Sequence, residues 1–188
     1  MKICIVVGSF RKDSLNVQLA QIIQESLEKR AIGSMIRNDL EIPMFNQDLE
    51  FLVPDSIQSW RDSFLEADGI WFVTPEYNGQ IPGSLKNLLD WMSRPMSLGA
   101  AWTDTAMRNQ CATVSGIGGR NGTKSVQKLL IELLNFGGMK VMDHDLAQIA
   151  MSSKTMETSQ IEYTPDVESI VEKQVEAFLS FIKMEENR

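Results

Sequence analysis

The chain has 188 residues, of which 43% are hydrophobic and 23% charged, and its formal net charge is −7 at pH 7. This length suits one domain with a full core, so we expect residues 1–188 to form a single domain. An acidic chain of this kind lacks the clustered Lys and Arg of a nucleic-acid footprint. No apolar run approaches the roughly 20 residues of a membrane span. We therefore expect a globular cytoplasmic protein without nucleic-acid or membrane binding.

Cysteine and histidine usage limits the chemistry that side chains can supply. Cys4 and Cys111 lie in apolar stretches, which predicts buried thiols in a reducing compartment rather than a disulfide or a metal pair. The single histidine, His144, allows neither a two-histidine metal cluster nor a convincing Ser-His-Asp arrangement, and we expect it at the surface or at a strand end. We predict no metal and no catalytic side chain. If the protein is an enzyme, a cofactor carries the reactive chemistry.

Short apolar runs alternate along the chain with segments of helical period, which is typical of a parallel sheet covered on both faces. Five strands are predicted, at residues 2–8, 34–38, 69–74, 110–115 and 139–142. Five helices are predicted, at residues 15–30, 54–67, from about 82 onward, 123–136 and 166–183. Ser14 is expected to cap the first helix, and Gly137-Gly138 to end the fourth. The segment after residue 142 is expected to be irregular.

Five alternating strands and helices predict an α/β fold, a three-layer α/β/α sandwich. Right-handed crossovers leave few topologies, and the flavodoxin-like strand order 2-1-3-4-5 is the simplest of them. In such sheets ligands bind beyond the carboxyl ends of the strands, at the switch point between strands one and three. The loops after strands one, three and four are therefore the candidates for a functional site.

The first of these loops, GSFRKDSLN at residues 8–16, has the composition of an anion site. Its hydrogen-bonding side chains are short, apart from one arginine, and it leads into a helix whose first N–H groups point outward. The candidate residues are Ser9, Arg11, Ser14 and Asn16. The alternative is a polar turn with an ordinary serine N-cap, and the residues by themselves leave both interpretations open.

The other two loops are rich in glycine. Residues 74–83, TPEYNGQIPG, place two prolines and two glycines around an aromatic residue, and they form either a ligand wall or a solvated loop. Residues 115–125, SGIGGRNGTKS, fail two nucleotide motifs. Asn121 stands where G-x-G-x-x-G needs its last glycine, and Thr123 separates Gly122 from the lysine that a P-loop requires. The glycines of the third loop thus either allow its backbone to approach a ligand closely or simply form a flexible turn.

Together the three loops resemble the NADPH-dependent FMN reductase family, which includes soluble quinone, azo-dye and chromate reductases. The resemblance begins with Gly8-Ser9-x-Arg11-x-x-Ser14-x-Asn16 and continues through ADGIWFVTPEYNGQIPGSLKNLLDWMSR, residues 67–94, to the glycine-rich third loop. It covers residues 2–142. It implies an FMN site made of a phosphate loop, a loop bordering the isoalloxazine ring and a third flavin-side loop. The residues that match these loops are Ser9, Arg11, Ser14, Leu15 and Asn16; Pro75, Glu76, Tyr77, Asn78 and Gly79; and Ser115, Gly116, Gly118 and Gly119.

The resemblance implies an FMN-dependent NAD(P)H oxidoreductase. NADPH or NADH would give hydride to flavin N5 and leave, and a small-molecule acceptor such as a quinone or azo compound would then take electrons from the same face. Three alternatives stay open: an enzyme that uses FMN as a dissociating substrate, a flavodoxin-like electron carrier, and a flavin- or nucleotide-sensing module.

The resemblance also implies a homodimer or homotetramer in which partner residues close the flavin pocket. Residues 91–107 are rich in Met and Trp, a composition that suits both an interface and an adaptable pocket wall. The same composition also suits ordinary core, so the sequence leaves the role of this segment open.

Overall fold

A parallel sheet forms the centre of the computed structural model, which describes all 188 residues. The strands are β1 (Lys2–Val7), β2 (Gly33–Arg37), β3 (Gly69–Val73), β4 (Cys111–Gly118), β5 (Lys140–Val141) and β6 (Gln148–Ala150). The first five run in the order β2-β1-β3-β4-β5, and this confirms the predicted flavodoxin-like topology. The short sixth strand, β6, pairs with β4 alone.

Helices cover both faces of the sheet, and the five predicted ones are present. They are α1 (Leu15–Glu28), α2 (Asp55–Leu65), α3 (Gly83–Met92), α4 (Lys124–Phe136) and α6 (Pro165–Glu186). One further helix, α5 (Ser153–Thr158), and β6 lie in the segment that was expected to be irregular. Elements of six and three residues are too short to show a hydrophobic period, which is why sequence reasoning missed both.

The core consists of two apolar layers because both faces of the strands are buried. Along β1, Cys4 and Val6 pack against α2, α3 and α4, whereas Ile3, Ile5 and Val7 pack against α1 and α6. This alternation follows from the two-residue period of a strand. Burial on both faces explains why β1 and β3 read as uninterrupted apolar runs. No helix combines the length and the apolar composition needed to cross a bilayer.

Helix α4 ends as predicted at its glycine pair. Gly138 has a φ of +85°, its N–H donates to the carbonyl of Asn135 at 3.0 Å, and the N–H of Met139 donates to that of Leu134 at 3.1 Å. These two bonds are those of a Schellman motif, which requires a left-handed residue just after the helix. The glycine therefore sets the point at which the chain turns back into β5.

Both cysteines are free and buried, as expected. Burial raises the pKa of Cys4 to about 12 and also raises the pKa of Cys111. Both thiols are thus held in the protonated, unreactive form at neutral pH. His144 lies at the surface, as predicted, with its Nδ1 3.1 Å from Asp145 Oδ2.

Helix α6 is joined to the sheet by one buried side chain, Gln174. Its Nε2 donates to Thr113 Oγ1 and to the carbonyl of Val114, both at 2.9 Å. Its Oε1 accepts from Ser115 Oγ at 2.8 Å and from the N–H of Ala147 at 2.6 Å. Every hydrogen-bonding atom of this amide is therefore satisfied, as a fully buried polar group requires. The bonds fix the middle of β4 relative to the residue that precedes β6.

Candidate functional site

Three loops meet at the carboxyl edge of the sheet and enclose a cavity of about 200 Å³. The cavity lies beyond β1, β3 and β4, which is the switch point of this strand order. Ten of the fourteen residues expected to bind a cofactor line it, together with two that were not expected. The expected residues are Ser9, Arg11, Ser14, Leu15, Asn16, Pro75, Glu76, Tyr77, Gly118 and Gly119, and the additional ones are Ile117 and Met151.

The first loop presents hydrogen-bond donors that have no acceptor within the chain. Helix α1 begins after Ser14, and the backbone N–H groups of Leu15 and Asn16 are unpaired. Ser14 occupies the N-cap position, but its buried side chain makes no capping hydrogen bond, so the cap expected from the sequence is not formed. The exposed guanidinium of Arg11 donates only to the carbonyl of Asp13. Free donors at a helix N-terminus with a nearby cation are the features of an anion site.

The side chain of Asn16, which was expected to bind the cofactor, is instead hydrogen-bonded to the protein backbone. Its side-chain amide is buried and makes two hydrogen bonds with the backbone of Ile117, one as donor and one as acceptor, both at 3.1 Å. The amide therefore joins the start of α1 to the end of β4. The backbone N–H of Asn16 has no acceptor in the chain and is free to face a ligand.

The second loop contains a tight turn that carries Asn78 and Gly79 away from the cavity. Tyr77 and Gln80 exchange two backbone hydrogen bonds, and the two residues between them have φ values of +53° and +71°. Positive φ at both central residues defines a type I′ turn, for which Asn-Gly is strongly preferred. The Asn78-Gly79 pair is thus a feature of the sequence from which this turn could have been predicted. The structure does not bring these two residues to the site.

Glu76 connects the second loop to helix α4. Its Oε2 accepts from the N–H of Val126 in the first turn of the helix at 3.3 Å, and Asn121 Nδ2 donates to its carboxylate at 3.4 and 3.5 Å. A carboxylate is stabilised at a helix N-terminus by the unpaired N–H groups there. Glu76 thus holds two walls of the cavity together, and it is the only acidic side chain that lines it.

The third loop begins later than predicted because β4 continues to Gly118, where β6 pairs with it. Ser115 and Gly116 therefore belong to the strand, and the structure places them beneath the cavity rather than in it. Ser115 Oγ is fully buried between Trp71 Nε1 and Gln174 Oε1, at 2.8 Å from each. A Cβ on Gly116 would overlap the carbonyl oxygen of Thr74 and the Oγ1 of Thr123. Packing, and not ligand approach, requires this glycine.

Gly118 and Gly119 do line the cavity, and they differ in what surrounds them. A Cβ on Gly118 would lie 2.6 Å from Thr123 Cγ2, so this glycine also makes room for the threonine. A Cβ on Gly119 would meet no atom within 4 Å. Gly119 is therefore the glycine of this loop whose surroundings leave the backbone open to a ligand.

Met151 completes the cavity wall and was missed by sequence reasoning. It follows β6, and its N–H donates to the carbonyl of Gly118 at 2.8 Å. Because β6 was not predicted, no signal in the sequence placed this methionine beside the third loop.

The chain combines a flavodoxin-like sheet, unpaired donors and an exposed arginine after β1, and cavity walls from the loops after β3 and β4. These are features of the class of proteins that bind a flavin mononucleotide at the switch point of the sheet. Within that class, the chain belongs to the NADPH-dependent FMN reductase family, whose sequence model matches residues 1–154. The match includes every residue that lines the cavity.

Curated relatives of the chain are named as quinone reductases. A quinone reductase of Pseudomonas putida is 33% identical over 132 residues, which are 70% of each protein. A 2-hydroxy-1,4-benzoquinone reductase of Burkholderia sp is 39% identical over 103 residues, and the chain spans about half the length of that relative.

Solved structures resemble the chain over nearly its whole length. FerB, described as a flavoenzyme NAD(P)H:(acceptor) oxidoreductase from Paracoccus denitrificans, is 27% identical with a TM-score of 0.83 over 98% of both chains. An archaeal flavodoxin is 13% identical with a TM-score of 0.61, covering 97% of this chain and 99% of its own, and shares the fold alone.

Gly116 in β4 and Gly119 in the third loop provide a matched test of the packing around each position. Gly116→Ala is expected to lower the free energy of unfolding by about 1–3 kcal/mol, the usual cost of overpacking, because the new methyl overlaps backbone. Gly119→Ala is expected to change it by less than about 0.5 kcal/mol, as for an open surface position. Urea denaturation of both variants measures the difference, and equal stabilities would contradict the described packing.

Proposed function

We propose that the cavity holds FMN, with the phosphate at residues 8–16 and the flavin ring between the second and third loops. We further propose that the chain uses NADPH or NADH to reduce small-molecule acceptors such as quinones. One observation carries the proposal: the unpaired donors at the start of α1 and the exposed Arg11 face the same cavity that the other two loops border.

The donor set is chemically suited to a phosphate monoester. Such a group carries about −1.5 to −2 charges near pH 7 and offers several acceptor oxygens. The N–H groups of Leu15 and Asn16, the Ser14 hydroxyl and the Arg11 guanidinium are all available as donors. The chain as a whole carries a net charge of −7, so an anion must be attracted by these local groups.

The other walls are suited to a flat ring. Pro75 and Tyr77 form one side, and the backbone at Gly119 has open space beside it on the other. When bound, the flavin supplies the acceptance and release of hydride or electrons, and no amino acid has to act as acid or base for that chemistry. The task of the chain is then to bind the phosphate, orient the ring and leave one face accessible.

The proposal also covers which electron acceptor is reduced and whether FMN stays bound or dissociates as a substrate. Quinones are favoured because relatives in two bacterial genera are named for quinone reduction. A second candidate is the use of FMN as a dissociating substrate, which the exposure of Arg11 favours. Retention of flavin through gel filtration separates a prosthetic group from a substrate.

We propose a homodimer, formed by the exposed part of residues 91–107. The structure divides this segment: Trp91, Met92 and Met107 are buried in the core, whereas Leu98 and Trp102 are 80% and 71% exposed. Trp102 also lines a groove of about 420 Å³ with Phe136, which is 92% exposed. Exposed aromatic side chains around a groove are typical of protein interfaces.

The free, buried thiols agree with a reducing compartment, and we propose the cytoplasm as the location of the protein. The continuous sheet that joins residues 2 to 150 supports our proposal that the chain is one domain.

Arg11→Ala is expected to weaken FMN binding by roughly 1–3 kcal/mol, because it removes a charge-assisted hydrogen bond to the phosphate. Titration of FMN fluorescence with the apoprotein measures the dissociation constant. Lys12→Ala is the matched control, since Lys12 is also an exposed cation of this loop but does not line the cavity. An unchanged dissociation constant for Arg11→Ala, or equal losses in both variants, would contradict the assignment of the phosphate loop.

Trp102→Glu is expected to weaken self-association by roughly 2 kcal/mol or more, as for a central aromatic residue of an interface. Sedimentation velocity over a range of protein concentrations measures this. Met156→Glu is the control, because Met156 is 59% exposed on α5, away from the proposed interface. A wild-type chain that stays monomeric would overturn the proposed dimer, and an unaffected Trp102→Glu dimer would overturn the proposed surface.

A further inference from the structure

A second cavity, of about 310 Å³, lies directly beside the proposed flavin site. The two cavities share Ser9, Arg11 and Tyr77. The second cavity is otherwise lined by residues that do not line the first cavity, namely Gly8, Phe10, Pro82, Gly83 and Ser84. Space that is continuous with a cofactor site is the natural place for the rest of a large substrate.

Two aromatic side chains border this second cavity and are about half exposed to solvent. Phe10 is 55% exposed and Tyr77 is 50% exposed. They come from different loops, so the fold brings them to one cavity from separate parts of the chain. An exposed aromatic face is a stacking surface for a planar group such as a heterocyclic base.

The polar groups that line this cavity retain free hydrogen-bond donors, and the one charged side chain among them is a cation. Arg11 is the only charged residue that lines it. Ser9 is 4% exposed, and its hydroxyl accepts a hydrogen bond from the N–H of Arg11 at 3.4 Å but donates none. Ser84 makes no side-chain hydrogen bond, and the N–H groups of residues 83 to 85 at the start of α3 have no acceptor. The cavity therefore favours an anion next to a planar group.

We infer that this cavity binds the 2′-phosphoadenosine end of NADPH, and that Ser84 and Arg11 distinguish NADPH from NADH. The inference rests on the proposed function. NADPH differs from NADH by one phosphate on the adenosine ribose, and an adenosine phosphate combines a planar base with an anion. Arg11 lies between the two cavities, so its fork of donors can serve the flavin phosphate on one side and the ribose phosphate on the other.

Ser84→Asp tests the inference, because it places a negative charge at the ribose phosphate and not at the flavin. Asp is favourable in the first turn of a helix, so the substitution is compatible with folding. Ser56→Asp is the matched control: Ser56 is also the second residue of its helix, is exposed and lies outside both cavities. Steady-state kinetics with NADPH and with NADH gives the ratio of their kcat/KM values for each variant.

The ratio of kcat/KM for NADPH to that for NADH is expected to fall roughly tenfold in Ser84→Asp, which corresponds to about 1.4 kcal/mol. It is expected to stay unchanged in Ser56→Asp. Adenosine 2′,5′-bisphosphate should compete with NADPH in the wild type and lose affinity in Ser84→Asp and in Phe10→Ala. If both nucleotides are oxidised but the ratio does not change in Ser84→Asp, the inference is overturned and the proposed function stands. If neither nucleotide is oxidised by the FMN-loaded wild type, the proposed function itself fails.

Discussion

The candidate site depends on the pair of hydrogen bonds between the Asn16 amide and the backbone of Ile117. They join the start of α1 to the end of β4, two parts of the chain that are 101 residues apart in sequence. In this arrangement the unpaired N–H groups of α1 face the same space as the third loop. Glu76 makes the second connection, between the loop after β3 and the first turn of α4. Side chain-to-backbone bonds, each with a specific partner, thus hold the three loops in one cavity.

Much of the fold could be predicted because burial on both faces leaves a strong signal in the sequence. Uninterrupted apolar runs marked β1 and β3, helical periods marked the five long helices, and the handedness of crossovers then limited the strand order. The sequence also predicted that the loops after strands one, three and four lie together, since the carboxyl ends of parallel strands share one edge, and all three border the cavity. The glycine pair at residues 137 and 138 predicted the end of α4, and Gly138 adopts there the left-handed conformation that glycine takes without strain.

The parts of the fold and site that were not predicted depend on contacts between residues far apart in the chain, which the hydrophobic pattern of a short segment does not reveal. Strand β6 is three residues long, and without it neither Met151 nor the extension of β4 to Gly118 could be placed. Ser115 was predicted to end the fourth strand and to begin the flavin-side loop, yet its hydroxyl is hydrogen-bonded inside the core to Trp71 and Gln174. The sequence left the role of residues 91–107 open because Met and Trp are common both in cores and in interfaces. Only the structure shows that Trp91 is buried and Trp102 exposed.

In an acidic chain, positive potential is confined to small regions, and Arg11 lines both of the neighbouring cavities in which we propose that anions bind. The most direct test of this account is an anaerobic titration of the purified full chain with FMN, followed by NADPH, monitored by visible absorption and fluorescence. The account predicts that the chain quenches FMN fluorescence to a saturating 1:1 endpoint and that NADPH then bleaches the flavin absorption. Flavin fluorescence that the chain leaves unchanged, or a bound flavin that neither NADPH nor NADH bleaches, would contradict it.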